Sequence, residues 1–190
     1  MYIEKQFNLK DLKGFSEKQI NEHLKLYAGY VKNTNSLMEK LDKMRADKEA
    51  DAYIIAELKR RIGFEFSGMR LHEYYFDDLS GTGLISDGDL KKDIAMQYGT
   101  FENWLTDFKS TAMLRGTGWA ILTYDQENKR FFNTWVNSHE LGHLAGTKIL
   151  LALDVWEHAF LIDYTPGQRK DYIESFFSCL NWSNIEKRYK

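Results

Sequence analysis

Two long stretches of helical apolar periodicity, set back to back, constrain the fold of this chain more than any other feature. Across residues 16–44, Ile20, Leu24, Tyr27, Val31, Leu37, Met38 and Leu41 recur at three- and four-residue spacing, the mark of an amphipathic helix. Ser16 with Gln19 has the form of a capping box, in which hydroxyl and amide each satisfy an N–H that the first turn leaves open. After a charged run at 45–51 the pattern resumes through Tyr53, Ile54, Leu58, Ile62, Phe66, Met69, Leu71, Tyr75 and Leu79. Two such stripes in succession predict a helical hairpin.

The chain then changes character. SGTGLISDGD, residues 80–89, holds three glycines and no helical face, which places a boundary between a hairpin unit, residues 1–84, and a second unit, residues 85–190. Short helical patterns at 88–98 and 101–114 precede a change of period. GWAILTYD and KRFFNTWVN, rich in aromatic and β-branched residues and joined by the polar QEN, read as two strands of a hairpin. The continuous apolar run 149–153 is too short for a typical helix and reads as a buried strand ending at Asp154. Helical patterns near 168–179 and 181–189 close the chain.

Composition narrows the function classes. Lys and Arg are scattered among Asp and Glu with a formal net charge of -2, so no basic stripe faces a nucleic-acid backbone and no nucleic-acid partner is expected. No apolar run approaches the ~18 residues of a membrane span, and the N-terminus lacks a signal-peptide pattern, so a protein of the cytoplasm with no membrane partner is expected. The single cysteine, Cys179, sits among apolar neighbours as a core thiol.

Chemistry rests with five histidines and one aspartate. His23 lies beside Ile20 and Leu24 on the wheel of the first helix, and His72 lies on the second helix next to Leu71; each is either a satisfied core histidine or half of a pair facing across the hairpin. Asp154 ends an apolar strand, where a carboxylate is costly unless it caps a turn, is paired, or binds a cation. His158 follows four residues later. Three imidazoles and one carboxylate form a donor set suited to iron or manganese, with room for a solvent ligand. A second pattern competes: HELGH, residues 139–143, matches the zinc-hydrolase motif H-E-x-x-H with Glu140 as base. It lies between strand-like runs, and Gly142 and Gly146 weaken the helix that would present both histidines together.

DVWEHAF followed by IDY resembles the D-x-W-E-H-A signature of the iron/manganese superoxide dismutases. The resemblance extends over nearly the whole chain, through a histidine on the first helix followed by GYV, LHEYYF on the second, GTGWA at the first strand, and Asn181-Trp182 near the end. It implies an α+β fold, a long helical hairpin plus a lobe of helices around a small three-stranded antiparallel sheet. It also implies disproportionation of superoxide at one Fe or Mn ion per subunit held by His23, His72, Asp154 and His158. Trp119 and Trp156 would wall the site, and Tyr30 would stand at its entrance. His139 would take the place of the glutamine that usually bonds the solvent ligand, the alternative position on the second helix being vacant at Gly68. Glu157 would reach a metal-binding histidine of a second subunit, implying a homodimer or a tetramer.

The sequence also departs from the family pattern. His23 and Tyr30 are seven residues apart rather than eight, which predicts a first helix without a local bulge. The family's second histidine on that helix is absent, with Leu26 or Tyr27 near its place, and its interface tyrosine partner is Leu161. Phe76 replaces a common tryptophan. A zinc hydrolase using HELGH and an inactive descendant of a dismutase are the alternative functions.

Overall fold

The computed structural model describes residues 1–190. Helix α1 (Glu17–Ala46) and helix α2 (Ala52–Asp77) form the antiparallel hairpin. Their apolar stripes meet through Ile20, Tyr27, Val31 and Leu41 on one side and Met69, Leu71, Tyr75 and Phe76 on the other, all buried. α1 is regular throughout, with no π-bulge between His23 and Tyr30. Asp51 caps α2 by accepting from the Tyr53 and Ile54 N–H groups.

The second half places α3 (Asp89–Tyr98) and α4 (Phe101–Ala112) before a three-stranded antiparallel sheet of β1 (Gly118–Asp125), β2 (Arg130–Asn137) and β3 (Lys148–Asp154), in the order β2-β1-β3. β1 is central and almost wholly buried, which explains its run of apolar residues without alternation. The β1–β2 turn is one residue longer than QEN: Lys129 adopts φ +53 and belongs to the turn rather than the strand. α5 (Arg169–Ser178) and α6 (Trp182–Tyr189) follow. The α+β fold therefore stands as its sequence patterns predict. No helix is long and apolar enough to cross a membrane.

One core runs through both halves. α2 packs on β3, and a single buried cluster joins Tyr75 and Phe76 of the hairpin with Trp119, Leu153, Tyr172 and Phe176 of the second half. This shared core brings the start of β1 and the end of β3 against the second turn of α1 and the last two turns of α2.

Candidate metal centre

Four side chains converge where those elements meet. Ligand atoms of His23, His72, Asp154 and His158 all lie within 4.8 Å of one another, and they form the one group of three or more such residues able to hold an ion. On the 100° wheel of α1, Gln19, His23, Leu26 and Tyr30 share a face. Gly68 and His72 stack one turn apart on α2 in the same way. Asp154 is the last residue of β3, in register with Trp119 at the start of β1. The chain then turns through a short 3-10 segment, Glu157–Ala159, which carries His158 back over the site.

The Nε2 atoms of His23, His158 and His72 lie 3.1, 3.2 and 3.5 Å from a single oxygen, Asp154 Oδ2. The other oxygen, Oδ1, accepts the Trp156 backbone N–H at 2.8 Å, and the Tyr172 hydroxyl donates to the Asp154 carbonyl at 2.6 Å. Asp154, His23 and His72 are buried, while His158 keeps partial exposure. Burial opposes charging of Asp154, and the neighbouring His158 and His23 outweigh it, holding the carboxyl well below the usual range. Burial lowers the basicity of His23 and, more strongly, of His72, where a charge on His23 would add to the effect. Neutral imidazoles and an ionised carboxylate are the forms that bind a metal cation.

The tautomer of His72 can be read from its neighbour. A carbonyl only accepts, so the 2.6 Å bond to Gly68 O puts the proton on Nδ1 and leaves a lone pair on Nε2. That atom is buried and has no hydrogen-bond partner. An orphaned imidazole lone pair aimed at two other imidazoles and a carboxylate is costly without a cation and satisfied with one. The residues therefore fit a metal ion.

Trp119, His139, Tyr30 and Trp156 surround this set. The Trp119 indole N–H donates to His139 Nδ1 at 2.9 Å, so the neutral His139 ring carries its proton on Nε2 and donates it to the Tyr30 hydroxyl oxygen 2.6 Å away. His139 is buried, and desolvation lowers its pKa to about 4, which keeps the ring neutral. Trp156 stacks on both His139 and His158. Burial, with the Asp154 charge nearby, raises the pKa of Tyr30 and keeps its hydroxyl protonated. The seven-residue step from His23 is thus sufficient: on a regular helix it returns Tyr30 to within about 20° of His23. The approach depends on Gly68, where a Cβ would stand 2.7 Å from the Tyr30 ring.

One expectation changes, and one alternative falls. The Ser16 hydroxyl accepts from the Gln19 N–H, but the Gln19 side chain does not return to Ser16. It donates to the His158 carbonyl at 2.7 Å and accepts from the Ile162 N–H at 3.1 Å, tying the loop that carries His158 to α1. HELGH forms no helix. His139 turns inward while His143 is exposed, its Nε2 donating to the His139 carbonyl at 2.9 Å, and Glu140 accepts the His139 N–H. The two imidazoles do not converge on an ion, and the zinc-hydrolase alternative loses its geometry. Gln19, Tyr172 and Phe64, which packs 4.5 Å from the His139 ring, are the residues that sequence patterns passed over. Only Gln19 carried a signal, one turn before His23 on the same face.

Comparison with known proteins agrees with this geometry. The family model for iron/manganese superoxide dismutases, alpha-hairpin domain, matches residues 4–80, and that for iron/manganese superoxide dismutases, C-terminal domain, matches residues 86–188. The chain is 37% identical over 172 residues to a superoxide dismutase (Fe) of Methanothermobacter thermautotrophicus, covering 88% of this chain and 82% of the relative. It is 35% identical to a superoxide dismutase (Fe) of Saccharolobus solfataricus, covering 85% and 79%, and 34% identical to a superoxide dismutase (Mn) of Mycolicibacterium fortuitum, covering 90% and 83%. The chain belongs to the iron/manganese superoxide dismutase family.

Proposed function

We propose that the protein is a superoxide dismutase, converting two superoxide anions and two protons to oxygen and hydrogen peroxide, with one iron or manganese ion held by His23, His72, Asp154 and His158. The observation that carries this reading is the buried convergence of three imidazole nitrogens and one carboxylate oxygen within 4.8 Å, with the His72 lone pair otherwise unsatisfied. When bound, the ion supplies the redox chemistry, taking an electron from one superoxide and giving it to a second. Asp154 contributes the one fixed negative charge of the set and is locked by its bonds to Trp156 and Tyr172.

Proton handling belongs to Tyr30 and His139. Because Trp119 fixes His139 as donor to Tyr30, the Tyr30 proton is not used in that bond and is free to point into the site. Tyr30 then stands as the donor to the reduced product, with His139 holding its oxygen in place. Trp119 and Trp156 wall the site and limit water.

We read the active form as a cytoplasmic homodimer in which Glu157 approaches His158 of a second copy. Glu157 is exposed beside Leu161 and Ile162, which are 40% and 42% exposed, and Leu26 on α1 is 41% exposed. Exposed apolar side chains, two of them four and five residues after the carboxylate, support such an interface. The histidine and its tyrosine partner are both absent, with Leu26 or Tyr27 near the place of the first and Leu161 at the second, so neither is left without the other. The division into units at residue 84 is supported by the two family models, which meet between residues 80 and 86.

Elemental analysis paired with superoxide-dependent activity, before and after loading with iron or manganese, tests the function. Near-stoichiometric iron or manganese with activity supports it. Bound metal without activity under either loading leaves an inactive descendant. Sedimentation of the wild type against Glu157→Ala tests the dimer.

A further inference from the structure

The geometry points to Arg61 as the residue that neutralises the entrance of the site for an anionic substrate, by offsetting a buried carboxylate, Glu65, on the wall of the approach. The inference takes its substrate from the dismutase reading above. Arg61 and Glu65 lie on α2, three and two turns before His72. The Arg61 guanidinium sits 4.0 Å over the Phe64 ring. Phe64 in turn lies 4.5 Å from the His139 ring and 6.0 Å from the Tyr30 ring, and Tyr30 is 5.1 Å from His72. A continuous line of side chains therefore runs from a half-exposed cation to the metal centre.

Glu65 makes that cation necessary. Its side chain is only 6% exposed, against 50% for Arg61. Arg61 donates to Glu65 Oε1 from both Nε and Nη2, at 2.9 and 2.7 Å, while Asn33 gives Oε2 a longer bond of 3.3 Å. Other pairs on the hairpin, Lys43–Glu39 at i,i+4 and Arg60–Glu57 at i,i+3, expose both partners and act on nothing beyond the helix surface. The Arg61 pair shares with Arg70–Glu73 an acid that faces inward, and it is the one whose guanidinium stacks toward His139 through Phe64. The Tyr30 hydroxyl feels both charges, in opposite directions, and His139 feels Arg61. Without Arg61, an uncompensated carboxylate would stand close enough to act on the Tyr30 hydroxyl, in surroundings too dry to screen it well. Arg61 is thus an entrance residue and touches no reacting atom.

A charge role and a merely structural one predict different variants. The test uses full-length protein loaded with iron or manganese and titrated with azide, a small monovalent anion, followed by the metal's absorption spectrum. Arg61→Gln should weaken azide binding about fivefold in ~20 mM salt, with the difference shrinking toward ~0.5 M. Arg61→Lys, which keeps the charge and loses the fork and the stacking, should bind azide nearly as the wild type does. Glu65→Gln alone should tighten binding, and Arg61→Gln with Glu65→Gln should return it toward wild type. If Lys proves as poor as Gln, if the double variant is weaker still, or if the loss ignores salt, the entrance role fails. If Arg61→Gln does not fold, Glu65→Gln decides: unchanged azide affinity overturns the inference. Wild-type protein that binds azide at its metal yet disproportionates no superoxide removes the enzyme reading and leaves this one standing; absence of metal uptake removes both.

Discussion

DVWEH and HELGH both place a histidine four residues after another candidate ligand, and only the first brings its pair together. Asp154 closes β3, and its Oδ1 captures the Trp156 N–H two residues on, a local turn that swings His158 back until its Nε2 is 3.2 Å from Oδ2. HELGH follows β2 in another way. Asn137 and Leu141 exchange backbone hydrogen bonds across a tight turn, with Ser138 at φ +54, so His139 tucks under Trp119 while His143 faces out. The spacing i, i+4 means a shared face only on a helix. Off a helix, whatever holds the backbone decides where the rings go.

Variants can break or sharpen that contrast. The largest effect belongs to DVWEH: Asp154→Ala should leave three imidazoles without their anionic partner and weaken metal binding by more than the ~100-fold that loss of a ligand's hydrogen-bond partner can cost, read by metal content after dialysis. Within HELGH the two histidines should separate. His139→Ala should lower kcat by roughly 10–100-fold with metal retained, whereas His143→Ala should stay within about twofold; equal losses of metal from both variants would revive the zinc motif. Trp119→Phe keeps an aromatic ring and removes the N–H that sets the His139 tautomer, along with part of the buried ring volume. It should cost about 1–3 kcal/mol of stability, read by denaturant unfolding, and alter the pH profile of activity more than the metal content. Gln19→Ala, which frees the DVWEH loop from α1, should cost about 1–2 kcal/mol by the same measurement.

The smallest effect is a slope. His139 takes up a proton at about pH 4 in the folded protein and at 6.5 when solvated, because burial disfavours its charged form. The unfolded chain therefore binds the extra proton first as pH falls. The contribution of His139 to stability is complete above pH 6.5 and is lost as pH drops toward 4. In the metal-free protein, His139→Gln should flatten the fall in melting temperature over that window, since an amide does not titrate. A slope unchanged from wild type would mean that His139 is not buried as described.

Much of this architecture is legible in the residues, for local reasons. The stripes of α1 and α2, the glycines of 80–89 and the β-branched runs each declare an element by period or by punctuation. Asp154 stands out because it is a charge at the end of an apolar strand. What escapes is contact across long separations. Gln19 looks like half of a capping box because its partners, the His158 carbonyl and the Ile162 N–H, lie more than 130 positions away. The direction of the Trp119–His139–Tyr30 bonds depends on which ring nitrogen meets the indole, which no periodicity encodes. Arg61 and Glu65 look like any surface pair on a helix until the burial of Glu65 is known.

His23 and Asp154 are separated by 131 positions and meet in the interior, and their meeting has a bearing on the order of folding. Contacts of such long range form slowly and close only when the hairpin docks against the sheet. Until that docking, His23 and His72 hang on one half of the chain and Asp154 and His158 on the other, open to any ion in solution. After it, His23, His72 and Asp154 are sealed from water, and exchange requires the halves to part again. Loss of metal to a chelator should then keep pace with unfolding rather than with chelator concentration.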